Sequence, residues 1–311
     1  MTDRYDPRVA LAARPMSLAQ WLIISIPVLI NLVDGFDVLA LAQAAPVLSR
    51  EWALGPDQLG ELLSYSLAGM AIGALGVSPL ADTAGRRPAI LLCLILMTLG
   101  MFGAAASHGY WSLAAARLVT GIGIGGMTST AGAIAMEYAS AQRREFAPSL
   151  VASAYPIGTI LGGFVAIAVL DLFGWRGIFW FGGLLSAVLL PIAWLWLPES
   201  IDFLMTRQPK GALRKVNAVL ARLDLPALDT LPETISAGGD KMAALREIAS
   251  PAHRVEIARL CVAHALNMFS FYFIINWATK WVTELGFSTT AGISYSIYVS
   301  IGGIVGALVT G

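Results

Sequence analysis

The chain has 311 residues, 57% of them apolar and only 13% charged, with a mean hydropathy of +0.72; soluble domains carry about 25% charged residues. A single soluble core cannot absorb that much apolar chain, so an ordinary soluble domain is excluded and a bilayer is implied. Formal net charge is zero, which leaves no electrostatic footprint for nucleic acid, and Cys93 and Cys261, in separate apolar runs, offer neither a disulfide framework nor a metal-ligand spacing.

In chain order, residues 1–17 read as a cytoplasmic amino terminus carrying Arg4, Arg8 and Arg14. Windows able to cross about 30 Å of hydrocarbon follow near 18–45, 58–80, 88–106, 111–136, 146–170, 175–197, 254–279 and 289–311. The first could be taken for a signal peptide, with Ala42-Gln43-Ala44 as a cleavage site. It is too long for that and carries two aspartates, so it reads as an uncleaved helix. The joints hold breakers such as Gly55-Pro56 and Ser107-His108-Gly109, no strand pattern competes, and the backbone is expected to be helical throughout. Basic residues concentrate on alternate joints, at Arg86-Arg87, at Arg143-Arg144 and from Arg207 to Arg259. Those joints are expected to face the cytoplasm, together with the amino terminus.

Residues 198–253 form the only long polar stretch. Leu213, Val216, Val219 and Leu220 stand at helical spacing among Lys210, Arg214, Lys215, Arg222, Lys241 and Arg246, which predicts short amphipathic helices on the cytoplasmic face. The stretch reads as a linker between two bundles, with a partner-binding or regulatory loop as the alternative. The expected layout is all-α: a six-helix bundle over 18–197, the linker over 198–253, and a partial second bundle of two helices over 254–311. An internal repeat supports parallel halves, since Ser64-Tyr65-Ser66 with Gly73 and Gly76 is matched at equal offsets by Ser294-Tyr295-Ser296 with Gly303 and Gly306. The same offset carries Asp82 to the position after Gly311. The reading frame is therefore expected to continue for about four more spans, leaving this chain truncated after about eight.

The first and fourth apolar windows hold three charges. Asp34 and Asp37 are three apart and share a helix face, and Gly35 between them lets a neighbour approach. Arg117 lies about two turns below the outer surface, where a lone cation costs roughly 2.5–3.5 kcal/mol. At about 1.5 Å per residue, Asp37 lies roughly 13 Å from Pro46 and Arg117 roughly 10 Å from Tyr110, so their depths agree. Arg117 is expected to pair with Asp37, as a proton-coupling site or as a static structural ion pair. Gly121, Gly123, Gly125 and Gly126 after it read as packing positions.

The joint Asp82-Thr83-Ala84-Gly85-Arg86-Arg87 resembles the loop signature of the major facilitator superfamily, although Ser78 stands at its first Gly position and Thr83 where a basic residue is usual. Arg117 with Gly121 and Gly123 fits the Arg-x-x-x-Gly-x-Gly run of the superfamily's fourth helix. The resemblance implies a cytoplasmic latch of Asp82, Gly85, Arg86 and Arg87 with Glu137 and Arg144 close by; ordinary positive-inside charge is the other reading.

Within the superfamily, Asp34-Gly35-Phe36-Asp37, continuing to Ala45-Pro46 and Glu51-Trp52, resembles the first helix of the aromatic acid/H+ symporter family. Glu137-Tyr138 before Arg143-Arg144, Tyr155-Pro156-Ile157-Gly158 before Gly162-Gly163, Gly174-Trp175-Arg176 and Pro198-Glu199-Ser200 extend the likeness. Ser129 and Thr130 depart from its usual Pro-Asn, and Thr279 from its Trp-x-Pro. The resemblance implies proton-coupled uptake of a small aromatic carboxylate across the inner membrane by alternating access, with Asp34 and Asp37 linked to the proton. The matched depths add the expectation that Asp37 is the proton site, its affinity set by Arg117, with Asp34 assisting. Tyr155-Pro156 replaces the Gly-Pro of the antiporter signature, which favours symport.

Tyr155, Asn267, Tyr272, Asn276 and Trp277 could line the substrate cavity, or serve as interhelix glue and interfacial anchors. His264, near the cytoplasmic end, is left out of the proton path. No cofactor or metal is implied, and no Ser/His/Asp set or phosphate loop suggests an enzyme. Protons, a small organic anion and the bilayer are the expected partners of a monomer. The alternatives are a sugar or other organic-anion facilitator, and a non-transporting scaffold or sensor.

Overall fold

A computed structural model describes residues 5–232 and 254–310, and every regular element among them is helical. α1 (Pro7–Ala13) starts at Asp6, whose side chain accepts from the Arg8 amide. α2 (Leu18–Glu51) starts at a capping box in which Ser17 and Gln20 satisfy each other's amides. α3 (Pro56–Ala84), α4 (Arg86–Ala105) and α5 (Tyr110–Tyr138) follow, then a 3-10 turn at Ala141–Arg143 and α6 (Phe146–Trp196). After α7 (Ile201–Arg207) and α8 (Ala212–Arg222) come α9 (Arg254–Glu284) and α10 (Thr289–Thr310).

Among the described residues six helical segments have the length and hydropathy to cross a membrane. At about 1.5 Å per residue, α6 would be about 75 Å long if straight, far more than one crossing of about 30 Å needs. It is broken at Gly174, where φ 65° and ψ −172° leave the helical region. Its first limb runs parallel to α2, with Asn31 Nδ2 donating to the Val151 carbonyl at 2.6 Å. Its second limb returns along α4, from Arg176 beside the Ser107 carbonyl to Trp194, whose carbonyl accepts from Arg87. One helical run thus supplies the two apolar windows expected at 146–170 and 175–197. With α10, a further helix of 22 residues, all eight windows fall on helices.

Glycines set the closest crossings. A Cβ on Gly35 would lie 2.0 Å from the Tyr155 carbonyl oxygen, and one on Gly158 1.9 Å from that of Leu32, so α2 and α6 touch backbone to backbone. α3 and α5 cross the same way, with a Cβ on Gly125 1.9 Å from the Met70 carbonyl oxygen. The four glycines after Arg117 are all buried against α3 or α4, as packing residues.

α7 and α8 form the amphipathic pair expected after residue 198. α8 buries Val216, Val219 and Leu220 in the core cluster that also holds Ile90, Leu94, Ile134 and Tyr138, and turns Arg214, Lys215 and Arg222 outward. Leu213, expected on the same apolar stripe, is only half-buried. Lys241 and Arg246 lie outside the described residues. α9 is exposed along most of its first half and buries Ile275, Asn276, Ala278, Thr279 and Thr283 in its second.

Candidate functional site

Residues 33–46 of α2 are buried without a break, which makes this helix the centre of the bundle. Asp34 and Asp37 stand at its midpoint and Arg117 at the matching level of α5, all within 1% of complete burial. The Asp37 carboxylate faces Gly182 on the returning limb of α6, where a Cβ would lie 2.8 Å from Oδ1. Neither carboxylate oxygen of Asp37, nor Oδ1 of Asp34, has a hydrogen-bond partner among the described residues.

Arg117 does not make the expected pair with the Asp37 carboxylate. Its Nη2 donates to the main-chain carbonyl of Asp37 at 3.1 Å and to Ser66 Oγ at 3.1 Å, while Nη1 lies 3.6 Å from Met101 Sδ. Phe179 lies under the guanidinium, 5.8 Å from ring centroid to Cζ. The reason is directional: the Asp37 side chain leaves α2 towards α6, whereas Arg117 reaches α2 from the flank shared with α3 and α4. A carbonyl has a second lone pair to offer, so it can accept from the guanidinium as well as from its own helix.

Tyr155 on α6 and Tyr272 on α9 meet side chain to side chain within the field of Asp34, packed like Met70 against the cluster of Val38, Met97 and Ile124. Beyond them a cavity of 370 Å³ opens between α3 and α9, lined by Leu67, Met268, Tyr272, Asn276 and Trp277. Asn276 is buried and donates to the Tyr272 carbonyl at 2.8 Å, and Trp277 packs over Gly60. Two expected lining residues are corrections: Asn267 is exposed and takes no part in this lining, and Tyr155 reaches the cavity only through its contact with Tyr272. Met268, Tyr272 and Asn276, four apart, define the cavity face of α9, and Asn267 lies about 100° round the helix from Met268. His264 is exposed as well.

At one end of the bundle Gly85, at φ +111°, turns the chain from α3 into α4. This residue has no side chain with which to cap α4. Glu199 caps it from outside: Oε1 accepts from the Arg86 amide at 2.9 Å, the Arg87 amide at 3.1 Å and the Ser200 amide at 2.9 Å. A Cβ on Gly85 would lie 2.3 Å from Glu199 Oε2, so only glycine fits the turn beneath that carboxylate. Arg86 forms an ion pair with Glu137, and the Tyr138 hydroxyl donates to the Glu199 carbonyl at 2.7 Å. Asp82 shares a cavity of 410 Å³ with Ser78, Arg86 and Ser129.

The sequence profile of the Major Facilitator Superfamily matches residues 28–311. The chain belongs to the Major Facilitator Superfamily.

A gallate transporter of Pseudomonas putida is 31% identical over 299 residues, covering 96% of this chain and 66% of that protein. The 4-hydroxybenzoate transporter PcaK of Acinetobacter baylyi is 29% identical over 313 residues, covering 98% of this chain and 68% of its own length. The chain therefore spans about two thirds of the length of these relatives, which are transporters and not enzymes. Among solved structures, the xylose transporter XylE from E. coli in a partially occluded inward open conformation superposes with a TM-score of 0.66 at 17% identity. It covers 91% of this chain and 70% of that one, and the likeness is one of fold alone.

Ser78, a departure from the superfamily loop, and Ser129, a departure from the symporter-like pattern, meet each other, Oγ to Oγ at 2.7 Å, and so satisfy in one contact two hydroxyls that the usual residues would not bring. Arg144 is exposed just after the 3-10 turn, and its side chain makes no hydrogen bond or ion pair among the described residues. Its neighbour Arg143 lies over the Phe146 ring at 5.5 Å. Sequence reasoning uses Glu199 only as part of the family likeness and gives it no role. The available signal was an acid directly after a helix end at Leu197-Pro198, where a carboxylate is placed to cap a neighbouring amino terminus. Glu199→Ala is expected to lower the unfolding free energy by about 1–2 kcal/mol, the usual cost of losing a cap. Thermal unfolding of the purified protein, with Glu199→Gln as an intermediate case, measures it.

Proposed function

We propose that the protein imports a small aromatic carboxylate together with protons, by alternating access across the bacterial inner membrane, as a monomer with its amino terminus and the Gly85 turn in the cytoplasm. The observation that carries this reading is a pair of buried carboxyls, with oxygens unpartnered among the described residues, beside a buried arginine and close to two tyrosines. Similarity to a gallate transporter and to PcaK supports the substrate class.

In the proposed mechanism Asp37 takes and gives the proton and Asp34 assists. Moving one proton changes the buried charge beside Arg117 by one unit, and in so dry a setting a unit charge strongly alters the cost of each conformation. With Asp37 neutral, the guanidinium is the uncompensated charge and attracts the substrate carboxylate. Tyr155 and Tyr272 offer ring faces and hydroxyls to the aromatic ring, and Asn276 and Trp277 wall the cavity. Bundle 18–197 would rock against 254–311 across the 198–253 linker, with Asp82, Gly85, Arg86, Arg87 and Glu137 as the cytoplasmic latch.

Ligand stabilisation of the purified intact protein tests the substrate class. Gallate or 4-hydroxybenzoate should raise its melting temperature while xylose does not, and Tyr272→Ala should weaken the aromatic ligand about tenfold, the scale of one lost aromatic contact. Stabilisation by xylose and by neither acid would make the protein a sugar facilitator instead.

A further inference from the structure

We propose that a pocket between the start of α4, the end of α6 and the α7–α8 pair seats the phosphate headgroup of an anionic phospholipid. The cavity measures 440 Å³, with Leu91, Trp194 and Phe203 on its apolar walls and Arg87, Lys215 and Arg222 at its rim. Trp194 and Leu195 are 62% and 66% exposed, so this wall lies on the outer surface of the bundle. An indole at the end of an apolar helix is placed where hydrocarbon meets headgroups.

The charge balance selects an anion. Glu199 is the acid in the lining, and its Oε1 is already taken by three backbone amides. The side chains of Lys215 and Arg222 make no hydrogen bond or ion pair among the described residues. Arg87 donates one Nη to the Trp194 carbonyl, while its buried Nε has no acceptor there.

Lys215 and Arg222 are seven apart, two turns along one face of α8. The buried stripe of Val216, Val219 and Leu220 fixes which way that face points. Three cations held around an apolar floor match a phosphodiester with an acyl glycerol attached to it, whereas a free phosphate ion has nothing to place against Leu91 and Phe203. Basic pockets beside membrane helices take lipid headgroups by this combination.

Native mass spectrometry of the intact protein, delipidated and titrated with phosphatidylglycerol or phosphatidylcholine, reads the site. Phosphatidylglycerol should be retained in preference, and the double variant Lys215→Gln/Arg222→Gln should lose roughly tenfold or more in its affinity, the scale of two removed surface cations. Lys210→Gln/Arg214→Gln removes the same charge outside the pocket and should retain the lipid. Equal retention of both lipids, equal loss in both double variants, or displacement of phosphatidylglycerol by glycerol phosphate at matching concentration would overturn the proposal.

Discussion

Asp37→Asn is expected to abolish proton-driven accumulation of substrate by the intact protein while leaving its membrane insertion and folding in place. The geometry separates these two effects. Arg117 is held by the main-chain carbonyl of residue 37 and by Ser66, contacts that the substitution does not touch. The asparagine amide is close in shape to the carboxyl and fits against Gly182 on α6. What it cannot do is take or release a proton at physiological pH, so the charge beside Arg117 no longer changes during the cycle. Substrate exchange without net proton movement should survive better than accumulation. Asp34→Asn should be equal or milder. Undiminished accumulation by the Asp37 variant under a pH gradient would remove Asp37 from the mechanism.

Gly158→Val is expected to have the largest effect on the fold. Its Cβ would arrive 1.9 Å from the Leu32 carbonyl oxygen, and the obstacle is backbone on both sides. No rotamer change relieves that clash, so α2 and α6 must separate and the buried stretch 33–46 loses its tightest neighbour. Overpacking commonly costs about 1–3 kcal/mol, and a backbone clash belongs at or above the top of that range. Size-exclusion profiles and thermal unfolding in detergent should show loss of monodisperse protein or a large drop in melting temperature. Gly76→Ala, where nothing among the described residues lies within 4 Å of the new Cβ, should behave as the unsubstituted protein. A Gly158→Val protein as stable as Gly76→Ala would contradict the close crossing.

Sequence reasoning reaches the helices and the buried charges because both are local signals. A window of apolar residues declares a span by itself, and Asp34, Asp37 and Arg117 stand out because charge inside such a window is costly. Matching their depths along two helices brings Arg117 to residue 37. Depth says nothing about which atom it meets, and the guanidinium took the carbonyl because the side chain turns towards α6. Ser66, another of its partners, is visible as part of the Ser64-Tyr65-Ser66 repeat, yet nothing along α3 announces a partner 51 residues away. Glu199 lies 113 residues from the amide it caps, a contact that exists only once α4 and α6 are side by side. Asn267 is misplaced by sequence because the polar residues of α9 are spread around the helix, and a helix without an amphipathic stripe does not reveal which face borders the cavity.

Uptake of labelled 4-hydroxybenzoate by proteoliposomes holding the intact protein, under an imposed inward proton gradient, tests the central claim most directly. Accumulation above the external concentration that collapses with a protonophore, and fails in Asp37→Asn, is the result this account predicts. Equilibration to the external concentration with or without the gradient, or no uptake of the aromatic acid at all, would contradict it.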